Sequence, residues 1–157
     1  MRTLVLGLGN ELLADDAVGL LAARALKDQF GDRIDVIESS ESGLALLDHL
    51  VGCDRAIIID AIRTGRSPAG TIQEFTVDDL RHVVAPSPHY AGIPELLALA
   101  RRLNLDFPED IRIIAIETEN LDEIGGHPSS LASRGADQAV ALASRYISER
   151  EGEGKHA

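Results

Sequence analysis

The amino-acid sequence predicts an α/β fold, a three-layer sandwich in which a twisted, mostly parallel sheet of about five strands carries helices on both faces. Short apolar runs alternate along the chain with longer segments whose apolar residues recur at helical spacing. The apolar residues are mainly Leu, Ile, Ala and Val, with few aromatic side chains and no Trp. This mixture is typical of buried parallel strands covered by helices rich in Ala and Leu.

The predicted elements follow in chain order. The predicted strands are Thr3–Leu8, Ile34–Ile37, the strongly β-branched run Arg55–Ile59 ending at Asp60, the edge strand Thr71–Phe75, and Ile111–Ile116. The predicted helices are Asp16 to Gly31, Leu44–Val51, Ile93–Leu103, and a last helix capped by Ser129 or Ser130 that runs to about Ser148. We therefore expect a single domain over residues 1–148, followed by a charged, Gly-containing tail, 149–157, that is disordered.

Composition narrows the classes of partner. Fifteen basic and 26 acidic residues give a net charge of −11, which repels a phosphate backbone and argues against nucleic acid as a partner. The same charge suits a basic protein partner, although an acidic surface more often serves solubility alone. We expect a monomer.

The chain also has the features of a reduced, cytoplasmic protein. The single cysteine, Cys53, excludes an intramolecular disulfide and a multi-cysteine zinc site. Apolar runs such as Leu4–Leu8 are far too short to cross a bilayer. The start Met1-Arg2-Thr3 leads directly into a strand-like run, which is not a signal-peptide pattern. We therefore expect a cytoplasmic location and no membrane partner.

Three candidate metal ligands follow predicted strands or precede predicted helices. They are Asp16 after the first strand and its loop, Asp60 at the end of the Arg55–Ile59 run, and His89 before the Ile93–Leu103 helix. Ligands bind beyond the carboxyl ends of the strands in open α/β sheets, and two carboxylates with one imidazole suit an open metal site. Each residue also has a structural interpretation: Asp15 or Asp16 as a helix cap, Asp60 as a turn residue that ends its strand, and His89 as a solvated loop residue.

Other chemistries lack their motifs. Gly7-Leu8-Gly9-Asn10 resembles the start of a dinucleotide fingerprint, but Leu12 occupies the third glycine position and Asp15-Asp16 precedes the helix. Two carboxylates at that helix start would repel a pyrophosphate. The chain has no G-x-S-x-G elbow for a serine hydrolase, and Cys53 lies in an apolar stretch typical of an inert core thiol.

The segment Leu4–Gly19, with G-L-G-N followed by Asp15-Asp16-Ala17-Val18-Gly19, resembles the N-terminal signature of the hydrogenase maturation endopeptidases, the HycI/HybD type of peptidase. Ile57-Ile58-Ile59-Asp60-Ala61 is similar to the second metal-ligand segment of that family, and Ser87-Pro88-His89 is similar to the third. The likeness is collinear over nearly the whole chain.

The resemblance implies that Asp16, Asp60 and His89 hold nickel carried by the substrate and that all three take part in catalysis. It also implies the substrate, a nickel–iron hydrogenase large-subunit precursor from which one cut removes a C-terminal extension after nickel insertion. Two departures stand out. Family members usually carry an acidic residue, two glycines and a threonine after the second strand, whereas this chain has Glu38-Ser39-Ser40-Glu41. The segment Ile116–Glu119 lacks the proline common there.

Two other functions remain as alternatives. The first is a non-catalytic module or chaperone that binds the precursor, which the serines at 39 and 40 favour. The second is a peptidyl-tRNA hydrolase, whose chain also begins with a strand and G-L-G-N. That family continues with Pro and Gly, whereas this chain continues with Glu11-Leu12, and an acidic protein would hold tRNA poorly.

Overall fold

The computed structural model describes residues 1–41, 45–82 and 92–153. Its strands are β1 (Thr3–Leu8), β2 (Asp35–Ser39), β3 (Arg55–Ile62), β4 (Ile72–Thr76) and β5 (Asp110–Glu117). Its helices are α1 (Val18–Phe30), α2 (Ala45–Leu50), α3 (Val77–His82), α4 (Ile93–Arg102) and α5 (Ser130–Glu153), with short 3-10 turns at Asp15–Ala17 and Gly31–Arg33.

The strands form one five-stranded sheet in the order β2-β1-β3-β5-β4. All neighbouring pairs are parallel except β4 and β5, which are antiparallel. In this register Gly7 of β1 lies opposite Ile59 of β3, and Asp60 lies opposite Ala115 of β5. The predicted α/β architecture is confirmed, including the placement of the fourth strand at an edge of the sheet.

Helices bury apolar side chains against both faces of this sheet. On one face, α2, α3 and α4 contribute residues such as Leu46, Leu80 and Ile93 to one core. On the other face, α1 and α5 contribute Leu26, Ala139 and others to a second core. No helix in the described ranges combines the length and the apolar character that a membrane span requires.

Glycines of the first motif let α1 lie directly on the strand ends. A Cβ atom at Gly7 would lie 2.7 Å from the carbonyl oxygen of Gly19 and 2.8 Å from the Cβ of Ala23. A Cβ at Gly19 would lie 2.5 Å from the carbonyl oxygen of Leu8 and 2.6 Å from that of Ile59. The start of α1 therefore rests against the carboxyl ends of both β1 and β3.

The structure departs most clearly from the prediction at β3, α3 and α5. Strand β3 continues past Asp60 to Ile62, because Ala61 and Ile62 are also buried and paired with β5. The short helix α3 was not predicted. Helix α5 extends past the predicted end at Ser148, so residues 149–153, predicted as part of a disordered tail, are helical. Ion pairs of Arg150 with Asp110 (3.3 Å) and of Glu151 with Arg33 (3.0 Å) hold this last part of the helix.

Candidate active site at the carboxyl ends of the strands

The structure brings Asp16, in the segment that follows β1, and Asp60, near the carboxyl end of β3, to the same rim of the sheet. Asp16 lies in the 3-10 turn that leads into α1, and this turn contacts β3. The carbonyl oxygen of Asp16 lies so close to Gly9 that a Cβ atom there would overlap it, and Gly9 has φ +152°. The helix after β1 covers one face and the helices after β3 cover the other, so this rim is the switch point where open α/β sheets bind ligands.

Asp16 is held by the turn that follows β1. Its Oδ2 accepts a hydrogen bond from the backbone N–H of Asn10 (2.9 Å), and the Asn10 side chain in turn accepts from the backbone N–H of Leu12 (2.9 Å). The side chains of Asp15 and Asp16 do not cap the turn or α1. The cap interpretation is therefore wrong, because both carboxylates bind donors from other segments.

Asp60 is completely buried within β3. Asp60 is two residues from both Ile58 and Ile62, and residues two apart in a strand share a face. Its side chain therefore belongs to the face of the sheet that α2, α3 and α4 cover. The interpretation of Asp60 as a turn residue that ends its strand is wrong. A carboxylate at such a position requires a cation, a metal or hydrogen-bond donors to offset the cost of burial.

His89, the third predicted ligand, lies outside the described residues. Helix α4 begins at Ile93, which packs in the same core as the neighbours of Asp60. Within the described ranges, no group of three or more His, Cys, Asp or Glu side chains is arranged to hold a metal. The metal role of Asp16, Asp60 and His89 therefore remains a prediction, and its donor set of two carboxylates and one imidazole suits nickel chemically.

Two buried carboxylates at this rim were not predicted as organising residues. Asp15 is completely buried and binds the segment before α5. Glu117, at the end of β5, is almost completely buried, and its Oε1 accepts hydrogen bonds from Thr64 N (2.9 Å), Thr64 Oγ1 (2.8 Å) and Gly65 N (2.9 Å). A charged residue that follows an apolar strand run is the sequence signal that identified Asp60, and it also applies to Glu117.

Within the segment Ile116–Glu119, which lacks the family's proline, Thr118 makes two hydrogen bonds to the end of β3. Its backbone N–H donates to the carbonyl oxygen of Ile62 (2.8 Å), and its hydroxyl donates to the same oxygen (3.0 Å). A proline at this position has no N–H to donate. In this chain, Thr118 therefore ties the end of β5 to the end of β3.

A groove opens beside this rim, between the turn after β1 and the end of β2. It is lined by Gly9, Asn10, Glu11, Leu12, Leu20, Glu38, Ser39 and Ser40. Ser39 Oγ accepts a hydrogen bond from the backbone N–H of Glu41 (3.0 Å) and donates one to the Glu41 carboxylate (3.2 Å). The Ser39 hydroxyl is therefore hydrogen-bonded within the local turn. His49 also binds Glu41 (2.8 Å), and the hydrogen bonds from His49 and then Ser39 lower the pKa of Glu41.

Comparisons with known proteins identify this architecture. A family model described as hydrogenase maturation protease matches residues 20–145. Hydrogenase 2 maturation protease of Escherichia coli (strain K12) is 30% identical over 126 residues, which cover 78% of this chain and 76% of that protein. Hydrogenase expression/formation protein HupD of Rhizobium leguminosarum bv. viciae is 31% identical over 144 residues, which cover 88% of this chain and 70% of that protein.

Solved structures give the same result. The NiFe hydrogenase maturation protease HybD from Thermococcus kodakarensis superposes with a TM-score of 0.75 at 30% identity, covering 94% of this chain and 99% of the other. The maturating endopeptidase HybD from E. coli superposes with a TM-score of 0.78 at 26% identity, covering 96% and 94%. The chain belongs to the hydrogenase maturation protease family.

Proposed function

We propose that this protein is the endopeptidase that removes the C-terminal extension of a nickel–iron hydrogenase large-subunit precursor once nickel has been inserted. Asp16, Asp60 and His89 recognise that nickel. The observation that carries the proposal is the position of Asp16, in the turn that leads from β1 into α1, and of Asp60, near the carboxyl end of the adjacent strand β3, at the switch point of the sheet. Both residues lie in segments that resemble the motifs of the family.

The chain's own residues prepare this site for a metal that arrives with the substrate. The Asn10 N–H fixes one oxygen of Asp16, and the surrounding strand β3 fixes the backbone of Asp60. Three protein ligands leave coordination positions open for groups of the precursor. Asp16, Asp60 and His89 would hold the metal, which would supply Lewis-acid chemistry toward the peptide bond to be cut. A site of few ligands also lets the nickel leave with the product.

The charge of the neighbouring segments supports a basic segment of the precursor as the bound region. Residues 10–16 and 118–129 together contain six Asp and Glu residues and no Lys or Arg. Arg24 pairs with Glu11 and Arg63 pairs with Asp122 (2.8 Å). Glu119 and Glu123 form no ion pair with any described residue. Complementary charge accelerates encounter with a basic partner and makes the association depend on salt.

A non-catalytic role in binding the precursor is the second candidate. The observation that favours it is the presence of Ser39 and Ser40 in the wall of the groove, where family members usually carry glycines. Side chains there narrow the space open to a bound peptide. In that case the protein would bind the precursor without cutting it.

A single-turnover assay with purified precursor tests the proposal. We expect Asp16→Asn and Asp60→Asn to lower the rate of extension loss by roughly 100-fold or more, since even changes beyond the direct ligands of metal sites cost about 10–100-fold. Asp28→Asn, which changes an exposed carboxylate on α1, is the matched control and should cleave at the wild-type rate. Full activity of folded Asp16→Asn protein would overturn the proposed site, and precursor binding without cleavage by the wild type would establish the binding module.

A further inference from the structure

Asp15 is a buried carboxylate that binds both ends of one loop. Its Oδ1 accepts from the backbone N–H of Ser129 (2.7 Å), and its Oδ2 accepts from the Ser129 hydroxyl (3.3 Å) and from the backbone N–H of Asn120 (3.3 Å). The backbone N–H of Asp15 also donates to the carbonyl oxygen of Asn120 (3.2 Å). A single side chain thus closes the loop 120–129 (the C-terminal loop), which leads into α5.

The middle of the C-terminal loop is paired with the segment that precedes Asp15. The Ala14 N–H donates to the carbonyl oxygen of Glu123 (2.9 Å), and the Gly125 N–H donates to that of Leu12 (2.8 Å). Leu13 and Ile124 lie opposite each other in an antiparallel bridge. The loop therefore wraps the chain on the N-terminal side of Asp16, while the Asn10 N–H holds the carboxylate of Asp16 itself.

We propose that Asp15 is a positioning residue, which fastens the C-terminal loop to the 3-10 turn and thereby fixes Asp16 in the orientation that binds metal. This inference rests on the proposed metal role of Asp16. Asp15 does not touch the metal in this arrangement, because both of its oxygens face donors of the loop.

The carboxylate group is necessary for this arrangement. Asp15 supplies two acceptor oxygens, whereas an asparagine supplies one oxygen and one NH₂ group. In Asp15→Asn, the NH₂ group faces either the N–H of Ser129 or the N–H of Asn120, and neither backbone donor can become an acceptor. One hydrogen bond between the Asp15 side chain and the loop is then lost, and a part-buried backbone donor is left without its acceptor.

Metal titration of the full-length protein tests the inference. Wild type, Asp15→Asn, Asp16→Ala and Arg55→Met would each be titrated with Ni²⁺, and separately with Zn²⁺, by calorimetry. Arg55 is the stability control: it is buried at the opposite end of β3, where it donates to the Tyr146 carbonyl oxygen (2.8 Å) and the Thr3 hydroxyl (3.3 Å). Its replacement perturbs the fold without touching the rim. Hydrogen exchange of residues 120–129 and single-turnover cleavage of nickel-loaded precursor complete the comparison.

We expect Asp15→Asn to weaken metal binding by about tenfold or more, as changes to residues that orient a metal ligand typically do, to slow cleavage and to speed exchange in the C-terminal loop. Arg55→Met should bind metal within about twofold of wild type. Ser129→Ala removes the hydroxyl that donates to Asp15 and accepts from the Ala132 N–H (3.3 Å), and it keeps the backbone bond to Asp15. It should shift affinity in the same direction by less, and it tests the positioning role if Asp15→Asn does not fold.

The two proposals fail in different ways. If Asp16→Ala loses metal binding while Asp15→Asn, or Ser129→Ala in its place, binds as wild type, the positioning role is refuted and the site stands. If Asp16→Ala itself binds metal as wild type does, the proposed site fails. If Arg55→Met loses affinity as much as Asp15→Asn does, general destabilisation explains the effect and the positioning role is also refuted.

Discussion

Replacing Gly19 with alanine should displace the start of α1 from the strand ends. The added Cβ would lie 2.5 Å from the carbonyl oxygen of Leu8 and 2.6 Å from that of Ile59. Both oxygens belong to the backbone of central strands, so neither can rotate away. Restoring ordinary van der Waals contact requires the helix start to move by about 0.9 Å.

The displacement has a cost in stability that outweighs the gain in helix propensity. Overpacking of this kind costs about 1–3 kcal/mol, whereas alanine in place of glycine in a helix contributes about 1 kcal/mol. We expect a net loss of up to roughly 2 kcal/mol in the free energy of unfolding, which lowers Tm by up to roughly 8 °C for a chain of this length. Because Asp16 lies one turn before Gly19, the same shift should slow precursor cleavage by roughly 10–100-fold.

Urea unfolding and single-turnover cleavage measure the two effects. The matched control is Gly152→Ala, because nothing lies within 4 Å of a Cβ at that position in α5. It should keep full activity and should unfold at the same urea concentration or at a slightly higher one. A Gly19→Ala protein that is as stable and as active as wild type would refute the close packing of α1 on β1 and β3.

Further predictions concern buried groups away from Asp16. Glu117→Ala should lower the free energy of unfolding by about 1–3 kcal/mol, since the backbone N–H groups of Thr64 and Gly65 lose their acceptor; urea unfolding measures it, and an unchanged midpoint would contradict it. Burial raises the pKa of the Cys53 thiol. A thiol reagent at pH 8 should therefore modify the native protein far more slowly than the urea-unfolded chain. Equal rates would show that the thiol is accessible in the native protein. Burial, followed by the hydrogen bond with Glu74, raises the pKa of Tyr146. Its stabilising contribution is therefore complete below pH about 10 and is lost above it; absorbance titration of wild type against Tyr146→Phe should show a phenol that ionises later than a free tyrosine.

The sequence predicted the sheet well because its signals are local. Each parallel strand is a short apolar run bounded by turn residues, and the edge strand Ile72–Thr76 follows a turn with Pro68 and Gly70. Helix α3 was missed because it has only six residues and buries only Val77 and Leu80 among the side chains described for it. Such a segment is too short to show helical periodicity.

Only those parts of the candidate site that leave a local signal in the sequence were predicted. Asp60 was recognisable as a charge in an apolar strand, but its place inside β3 depends on pairing of Ala61 and Ile62 with β5. The role of Asp15 was not recognisable, because its donors, Asn120 and Ser129, lie more than 100 positions along the chain. A carboxylate beside a helix start has the same local pattern whether it caps that helix or binds a distant loop.

We propose above all that this protein cuts a hydrogenase precursor and recognises the nickel bound in it. The most direct measurement incubates the wild-type protein with nickel-loaded and nickel-free precursor and follows loss of the C-terminal extension by intact mass. We predict a single cleavage of the loaded precursor and none of the nickel-free form. Equal cleavage of both forms would contradict nickel recognition, and no cleavage of a loaded precursor that binds would contradict the peptidase itself.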